Sequence, residues 1–323
     1  MKPDVIGGRA IVFGAPRSGT TFLMSVLNAH PALECVSGNL LPVGIAHLAA
    51  QELADEVRGA LERSLRVGLS DYLTTSLYHS RSSALRKWWT ASRRISSLAG
   101  AAKGARVEEM LVYKEPFLAF APELVYAAIP RARLLYIARD GRDVADSLVR
   151  SYGVLTDERL ADLDSDEAQM GRRVREIFVP WWVGEQDSES FLAASPFVRA
   201  VWMWREMVRR CRDFLERPEV LASGRVLQLR YEELIAEPLA QGEAIAEHLG
   251  QPMTARMRRQ LRSAHPRSVG IHTRRDPAEL AEADALAGSE LEALGYPLQA
   301  GADRREPMRR QSRAPTPPES LRS

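Results

Sequence analysis

The stretch RAIVFGAPRSGTTFLMSVLNAH, residues 9–30, restricts the fold of this chain more than any other part of its sequence. It begins with apolar and β-branched residues that end in glycine, which is typical of a buried parallel strand. A helical pattern follows and ends at Pro31, with apolar residues at Phe22, Leu23, Val26 and Leu27. A loop containing Gly14 and Gly19 therefore joins a strand to a helix, as a phosphate-binding loop does.

This loop departs from the usual pattern G-x-x-x-x-G-K-[ST] at one position. The spacing of its two glycines is retained and Thr20 and Thr21 follow, but the lysine is missing and Arg17 lies inside the loop. In nucleoside triphosphatases that lysine reaches the β- and γ-phosphates, so its absence favours a single 5′-phosphate group as the ligand. Backbone N–H groups at the helix start, the hydroxyls of Ser18 and the two threonines, and the Arg17 guanidinium would bind it. The alternative is a glycine-containing turn that binds nothing.

A second cluster, ARDGRDVADS, follows a predicted buried strand at RLLYIARD, residues 133–140. Arg139 lies at the carboxyl end of this strand, where open α/β sheets bind ligands. Ser147 comes two helical turns later, so both side chains can face one ligand. An arginine and a hydroxyl suit a second phosphate group. Taken alone, the charges of this cluster are equally compatible with surface ion pairs around a helix start.

Two more strands are predicted, at LVYKEP (residues 111–116) and RVLQLRYEEL (residues 225–234). Strands separated by helical stretches favour an α/β fold with a P-loop-like parallel sheet flanked by helices. Two insertions, residues 44–108 and 155–195, are expected to pass over the face of the sheet as helical segments that cover the side where an acceptor would bind. We expect one domain over residues 1–300 and a disordered tail over residues 301–323, which are rich in Pro, Arg and Ser.

The composition excludes several kinds of partner. Lys plus Arg number 44 against 42 Asp plus Glu, and a net charge of +2 gives no case for a nucleic-acid coat or a polybasic membrane anchor. Cys35 and Cys211 belong to no C-x-x-C pair and cannot build a zinc site or a disulfide framework. No clustered set of metal ligands occurs, so no metal is expected. No apolar segment resembles a signal peptide or reaches the length of a membrane span, and a cytoplasmic protein is expected.

Together, PRSGTT and RDGRDVADS resemble the sulfotransferases that use 3′-phosphoadenosine 5′-phosphosulfate (PAPS). In that family the first motif binds the 5′-phosphosulfate, and the arginine and serine of the second bind the 3′-phosphate. The donor carries no γ-phosphate, which would explain the missing lysine. The resemblance implies PAPS as co-substrate and adenosine 3′,5′-bisphosphate (PAP) as product.

The resemblance is most detailed for the tyrosylprotein sulfotransferase branch. YKEPF resembles its lysine–acid–Pro–Phe segment, LRYEEL its tyrosine-bearing segment beside the adenine, and SVGIHTRR its late loop over the nucleotide. The match covers residues 9–35, 110–152 and 197–297 and leaves out the two insertions. It implies a donor site in which the 5′ end is held by Arg17, Ser18, Gly19, Thr20 and Thr21, the 3′-phosphate by Arg139 and Ser147, and the rest of the nucleotide by Tyr231, Ser268 and Arg274.

Lys114 is the candidate catalytic residue, because the resemblance gives the matching lysine the task of stabilising charge on the leaving phosphate. The alternative is a surface lysine at a strand end. The branch has a glutamate general base just beyond its first helix, but this chain has no acid after Glu34 in ECVSGNLLP. The base is therefore left open among Glu34, Glu115, His47 and a residue of an insertion.

The acceptor is expected to be a hydroxyl or phenol of a small molecule, or a glycolipid. Four tryptophans in the insertions would line its pocket or pack as a satellite core: Trp88, Trp89, Trp181 and Trp182. Two other functions compete with sulfuryl transfer. One is a nucleotide or small-molecule kinase, which the absent lysine disfavours, and the other is a nucleotide-binding regulator without catalysis. The sequence does not determine the oligomeric state, and a homodimer is compatible with it.

Overall fold

The computed structural model describes residues 8–37, 47–48, 53–79, 110–162, 164 and 171–298. Its strands are β1 (Arg9–Phe13), β2 (Leu33–Ser37), β3 (Met110–Lys114), β4 (Arg133–Ala138), β5 (Gly171–Val174), β6 (Ile177–Pro180) and β7 (Val226–Arg230). Its 3-10 helices span Pro116–Phe120, Glu185–Asp187, Pro266–Ser268 and Ile271–Arg274.

The α-helices alternate with the strands from β1 as far as residue 152, and helices predominate after that. They are α1 (Thr20–Asn28), α2 (Asp55–His79), α3 (Pro122–Ala128), α4 (Gly141–Tyr152), α5 (Asp157–Ala161), α6 (Ser188–Ala193), α7 (Pro196–Leu215), α8 (Pro218–Ser223), α9 (Tyr231–Ala236), α10 (Pro238–His248), α11 (Ala255–Leu261) and α12 (Pro277–Ala293). None of the helices in the described ranges is long and apolar enough to cross a lipid bilayer.

Five strands form one parallel sheet in the order β2-β3-β1-β4-β7. This confirms the predicted α/β fold, and the four predicted strands correspond to β1, β3, β4 and β7. The edge strand β2 was not predicted, because LECVS is short and places Glu34 among its apolar residues. The strand is held instead by its parallel pairing with β3, in which Cys35 lies opposite Val112.

The two faces of the sheet are covered by different helices because side chains alternate along each strand. Ile11 and Phe13 of β1 point into a core that includes residues of α4, α7 and α12, whereas Ala10 and Val12 point into a core with α1, α10 and α11. Trp204 of α7 is fully buried in the first core. Its indole Nε1 donates to the backbone oxygen of the residue that follows β4 (3.1 Å).

The two predicted insertions are only partly described. In the first, α2 packs on α3, while Trp88 and Trp89 lie outside the described residues. The second is helical only in part, since it also contains the antiparallel hairpin β5–β6. The hairpin turn places Arg175 and Glu176 at φ 50° and 66°, a conformation usually taken by glycine or asparagine, so the sequence carries no turn signal there. The predicted tail, residues 301–323, also lies outside the described residues.

Candidate active site

The carboxyl ends of the central strands bring the predicted site residues to one edge of the sheet. The glycine loop follows β1, Lys114 ends β3, Arg139 follows β4 and Tyr231 follows β7. Residues far apart in the sequence meet here because all four strands run in the same direction.

The glycine loop has a backbone path that two of its residues can follow only without a side chain. Gly14 and Gly19 have φ values of 145° and 96°. A Cβ on Gly14 would lie 2.2 Å from the carbonyl oxygen of Ile137, and one on Gly19 would lie 2.3 Å from Cδ2 of Tyr231. The loop therefore packs directly against the ends of β4 and β7. Arg17, inside the loop, also has a positive φ of 72°, which places backbone strain at this residue.

The start of α1 offers donors to an anion. No side chain caps this helix, and its first turn contains no acidic residue. The hydroxyl of Ser18 is buried and has no hydrogen-bond partner among the described residues. The unpaired N–H groups of the first turn and the positive end of the helix dipole favour a negatively charged ligand at this point.

Arg139, which follows β4, links the glycine loop after β1 to the late loop that contains Ser268. Arg139 is 4% exposed, and its guanidinium donates to the carbonyl oxygens of Arg17 (3.0 Å) and Ser268. It lies over the ring of Tyr231, 4.7 Å from the centroid, and its Nη2 is 3.5 Å from a carboxylate oxygen of Asp143. Its Nε has no partner among the described residues, so one donor is left for a ligand.

Arg17 and Ser147, which are predicted to bind the 5′ and 3′ ends of the nucleotide, are in direct contact in this structure. Arg17 donates from Nε to the hydroxyl oxygen of Ser147 (2.9 Å) and from Nη1 to the hydroxyl oxygen of Tyr152 (3.3 Å). Its guanidinium also faces the Tyr152 ring at 5.4 Å. The side chains predicted to bind the two ends of the nucleotide therefore lie side by side. Sequence reasoning missed Tyr152, although it lies on the same short helix as Ser147.

The predicted late loop is fixed to α4. Asp143 accepts hydrogen bonds from the backbone N–H groups of Gly270 (2.7 Å) and His272 (3.1 Å), and its carboxylate lies 2.6 Å from Nδ1 of His272. Burial opposes ionisation of Asp143, but these hydrogen bonds outweigh it and hold the pKa below its usual value. The loop places the Ser268 hydroxyl 2.8 Å from that of Tyr231. Arg274 is exposed and does not line the cavity described below.

Lys114 and Glu115 adjoin at the end of β3. Lys114 donates from Nζ to the hydroxyl oxygen of Thr21 (3.4 Å), and burial lowers its pKa while the charge of Glu115 opposes this. Glu115 is 1% exposed; its Oε1 accepts from the N–H of Phe117 (3.1 Å) and its Oε2 has no partner among the described residues. Burial raises the pKa of Glu115 to about 7, against the opposing effects of that hydrogen bond and of Lys114.

One cavity of about 1140 Å³ joins the predicted donor site to an apolar region. Its polar end is lined by loop residues together with Lys114, Arg139, Ser147, Tyr231 and Ser268. Its apolar end includes Phe120, Phe178, Trp181, Trp182 and Met203. This volume exceeds the roughly 300–1,000 Å³ typical of a site for one drug-sized ligand. The cavity therefore has room for a nucleotide and a second molecule.

The candidates for general base are not resolved by their positions. The side chain of Glu34 lies outside the described residues. Glu115 is buried and does not line the cavity. The His47 ring lies 5.0 Å from that of Trp181, which lines the apolar end, and burial lowers the pKa of His47. The base therefore stays a prediction. Within the described ranges, no group of three or more His, Cys, Asp or Glu side chains is placed to hold a metal ion.

Comparison with known proteins gives one family. A profile described as "Sulfotransferase family" matches residues 10–183. A search of curated proteins found no match.

Solved structures of low identity are also similar. The sulfotransferase domain from the curacin biosynthetic pathway is 17% identical, over 91% of this chain and 99% of that one, with a TM-score of 0.46. A sulfotransferase from Alicyclobacillus acidocaldarius is 19% identical, over 91% and 98%, with a TM-score of 0.45. A mouse sulfotransferase complexed with PAP is 14% identical, over 89% and 86%, with a TM-score of 0.44. At these values the structures carry no argument about the site.

Proposed function

Because this chain belongs to the sulfotransferase family, we propose that it transfers the sulfuryl group of PAPS to a hydroxyl or phenol of an apolar small molecule or a glycolipid. The observation that carries the proposal is one cavity with cationic and hydroxyl side chains at one end and aromatic side chains at the other. At the first end, the cations Arg17, Lys114 and Arg139 and the hydroxyl of Ser18, unpaired in the part of the chain that the structure describes, suit the two phosphate positions of the nucleotide. The aromatic second end suits an acceptor with a large apolar body.

The donor would lie across the strand ends. The 5′-phosphosulfate would occupy the start of α1, where the loop residues Arg17–Thr21 present N–H groups and hydroxyls. The 3′-phosphate would meet Arg139 and Ser147, which both line the cavity. The adenine would approach Tyr231, and Ser268 and Arg274 would complete the site, Arg274 by a movement of its exposed side chain.

In the reaction the acceptor oxygen attacks sulfur, the bond from sulfur to the bridging phosphate oxygen breaks, and PAP departs with that electron pair. Lys114 would stabilise the growing negative charge on the leaving phosphate. Its contact with Thr21 places it beside the start of α1, where the 5′ end is expected. The acceptor proton would pass to a base, for which the candidates are those given above.

The closer assignment to the tyrosylprotein sulfotransferase branch is part of the proposal. It rests on the sequence around Lys114, Tyr231 and Ser268. The kinase alternative is disfavoured, because no lysine follows Gly19 at the position that contacts the β- and γ-phosphates in nucleoside triphosphatases. A regulator without catalysis would bind PAP and transfer sulfate to no acceptor.

The proposal is tested by comparing calorimetric affinities for PAP and for adenosine 5′-phosphate, which lacks the 3′-phosphate. Arg139→Ala and Ser147→Ala are expected to weaken PAP more than adenosine 5′-phosphate. For Arg139 the loss is about 10- to 100-fold, the equivalent of one charge-assisted hydrogen bond. Arg173→Ala, in the exposed turn of β5–β6, is the control and is expected to change neither affinity. Equal weakening of both nucleotides by both variants would contradict the 3′-phosphate assignment.

A transfer assay with radiolabelled PAPS and a panel of phenols and alcohols then tests the reaction. Activity is expected to persist in EDTA, because the positive charges of Arg17 and Lys114 would replace a metal at the phosphosulfate. Activity that is lost in EDTA and restored by magnesium would refute this, and magnesium-dependent turnover of ATP would favour the kinase alternative.

A further inference from the structure

Arg199, on the first turn of α7, is a buried arginine whose three side-chain nitrogens all donate to protein acceptors. Its side chain is 3% exposed. Nε donates to the carbonyl oxygen of Phe191 (3.0 Å), and Nη2 donates to that of Leu192 (2.6 Å). Nη1 donates to the carbonyl oxygen of Leu155 and to Oδ1 of Asp157, both at 2.8 Å. One side chain thus joins the connection between α4 and α5 to the end of α6.

The first of these segments forms part of the cavity wall. Leu155 lines the cavity, together with Val154 before it and Leu160 after it. Leu155 has φ 60°, in the left-handed region that a leucine rarely adopts. Such a conformation persists only where its surroundings hold it. Here the Leu155 side chain packs against the core, and its carbonyl oxygen accepts the hydrogen bond from Arg199.

The second segment supports the aromatic end of the cavity from behind. Phe191 is fully buried, and its ring meets Trp182 edge-on at 5.6 Å and Trp202 edge-on at 5.8 Å. Trp182 in turn lines the cavity. Because Arg199 holds the backbone of Phe191, it fixes the position of the ring against which Trp182 rests.

We infer that Arg199 is a positioning residue that sets the shape of the acceptor end of the cavity, and so selects which apolar acceptor fits. The inference rests on the proposed function. Arg199 does not itself line the cavity. The donor end is held by other contacts, those of Arg139 and of Asp143 with the late loop. The planar fork of an arginine suits four acceptors at fixed positions, whereas a lysine ammonium offers three donors from one point.

The test measures donor and acceptor binding separately in folded protein. The donor probe is PAP, by calorimetry. The acceptor probe is 2-naphthol with saturating PAP, a pair that carries no sulfuryl group and so cannot react, also by calorimetry. Arg199→Lys and Asp157→Ala are the variants. The Asp157 side chain is 85% exposed and does not line the cavity, so Asp157→Ala removes one acceptor of Arg199 and is expected to fold even if Arg199→Lys does not. Arg209→Lys, further along α7, is the control, because Arg209 pairs with Glu206 and Asp213 rather than with the cavity wall.

Both variants are expected to bind PAP like the wild type and 2-naphthol about tenfold more weakly, and the control is expected to change neither affinity. An arginine with a purely structural role would instead weaken the binding of both probes together or, in protein that stays folded, of neither. Wild-type affinity for 2-naphthol in the folded variants would overturn the inference while leaving the donor site intact. The same holds if the wild type binds PAP but not 2-naphthol. A wild type that does not bind PAP would overturn the proposed function itself.

Discussion

Glu115 is expected to make the free energy of unfolding fall as the pH rises from mildly acidic to neutral, and replacing it by glutamine is expected to remove this effect. The Glu115 carboxyl is 1% exposed, and burial raises its pKa from 4.5 to about 7. A carboxyl with a higher pKa in the folded than in the unfolded state holds its proton more tightly when folded. Its stabilising contribution is therefore complete below pH 4.5 and is lost as the pH rises towards about 7.

The magnitude follows from the shift. The difference between 4.5 and about 7, at about 1.4 kcal/mol per pKa unit, amounts to about 3 kcal/mol at alkaline pH, of which about 2.5 kcal/mol is lost between about pH 5 and pH 8. Glutamine has nearly the shape of the protonated acid and cannot ionise. Its carbonyl oxygen can keep the bond from the N–H of Phe117.

The assay is urea unfolding followed by circular dichroism from about pH 5 to pH 8, with linear extrapolation to zero denaturant. As the pH rises over this range, the free energy of unfolding of the wild type is expected to fall by about 2.5 kcal/mol relative to that of Glu115→Gln. Glu216→Gln, at a side chain that is 69% exposed, is the control and is expected to follow the wild type at each pH. A constant difference between Glu115→Gln and the wild type across the range would refute the reasoning.

Two further predictions concern the donor site. Lys114→Ala is expected to lower kcat by about 10²–10³-fold with little change in PAP affinity. Lys114→Arg is expected to recover only part of the rate, because a planar guanidinium does not replace a compact ammonium. An unchanged single-turnover rate in folded Lys114→Ala would show that Lys114 is not catalytic. Gly19→Ala is expected to abolish PAP binding in calorimetry, since its Cβ would meet Tyr231 at 2.3 Å, whereas Gly153→Ala, also at positive φ but with no atom within 4 Å of its Cβ, should bind PAP normally. Equal PAP affinities for these two glycine variants would show that the contact with Tyr231 is unimportant.

The donor half of the site was largely predictable from the sequence. The strand–loop–helix around Gly19 has a strong local signal, and a parallel sheet brings the ends of its strands to one edge. Arg139 and Tyr231 each lie at the end of a predicted strand, so both could be expected to meet the loop. The sequence did not indicate that Arg17 would turn towards Ser147, because the direction of a side chain depends on neighbours that only the fold brings close.

The acceptor half was much less predictable, for physical reasons that differ between its parts. The β5–β6 turn at Arg175 and Glu176 has none of the usual turn residues. Arg199 looks like a surface arginine in the sequence, since its burial depends on carbonyl groups contributed by two other segments. Leu155 gives no local sign of a left-handed conformation. Contacts of this kind are tertiary and leave no periodic pattern.

The strand order has a consequence for how the protein folds. In β1, Arg9 lies opposite Leu111 of β3 and Ala10 lies opposite Arg133 of β4, and in β4, Leu134 lies opposite Val226 of β7. The strands that pair in the middle of the sheet are therefore about 90 residues or more apart along the chain. Closing such long loops lowers the entropy of the chain before the strand pairings form and stabilise it, which makes folding slow. Arg139, which bridges Arg17 and Ser268, can make both contacts only after all these closures. PAP would therefore bind only to chains that are almost completely folded, and would slow unfolding rather than speed the search for the native state.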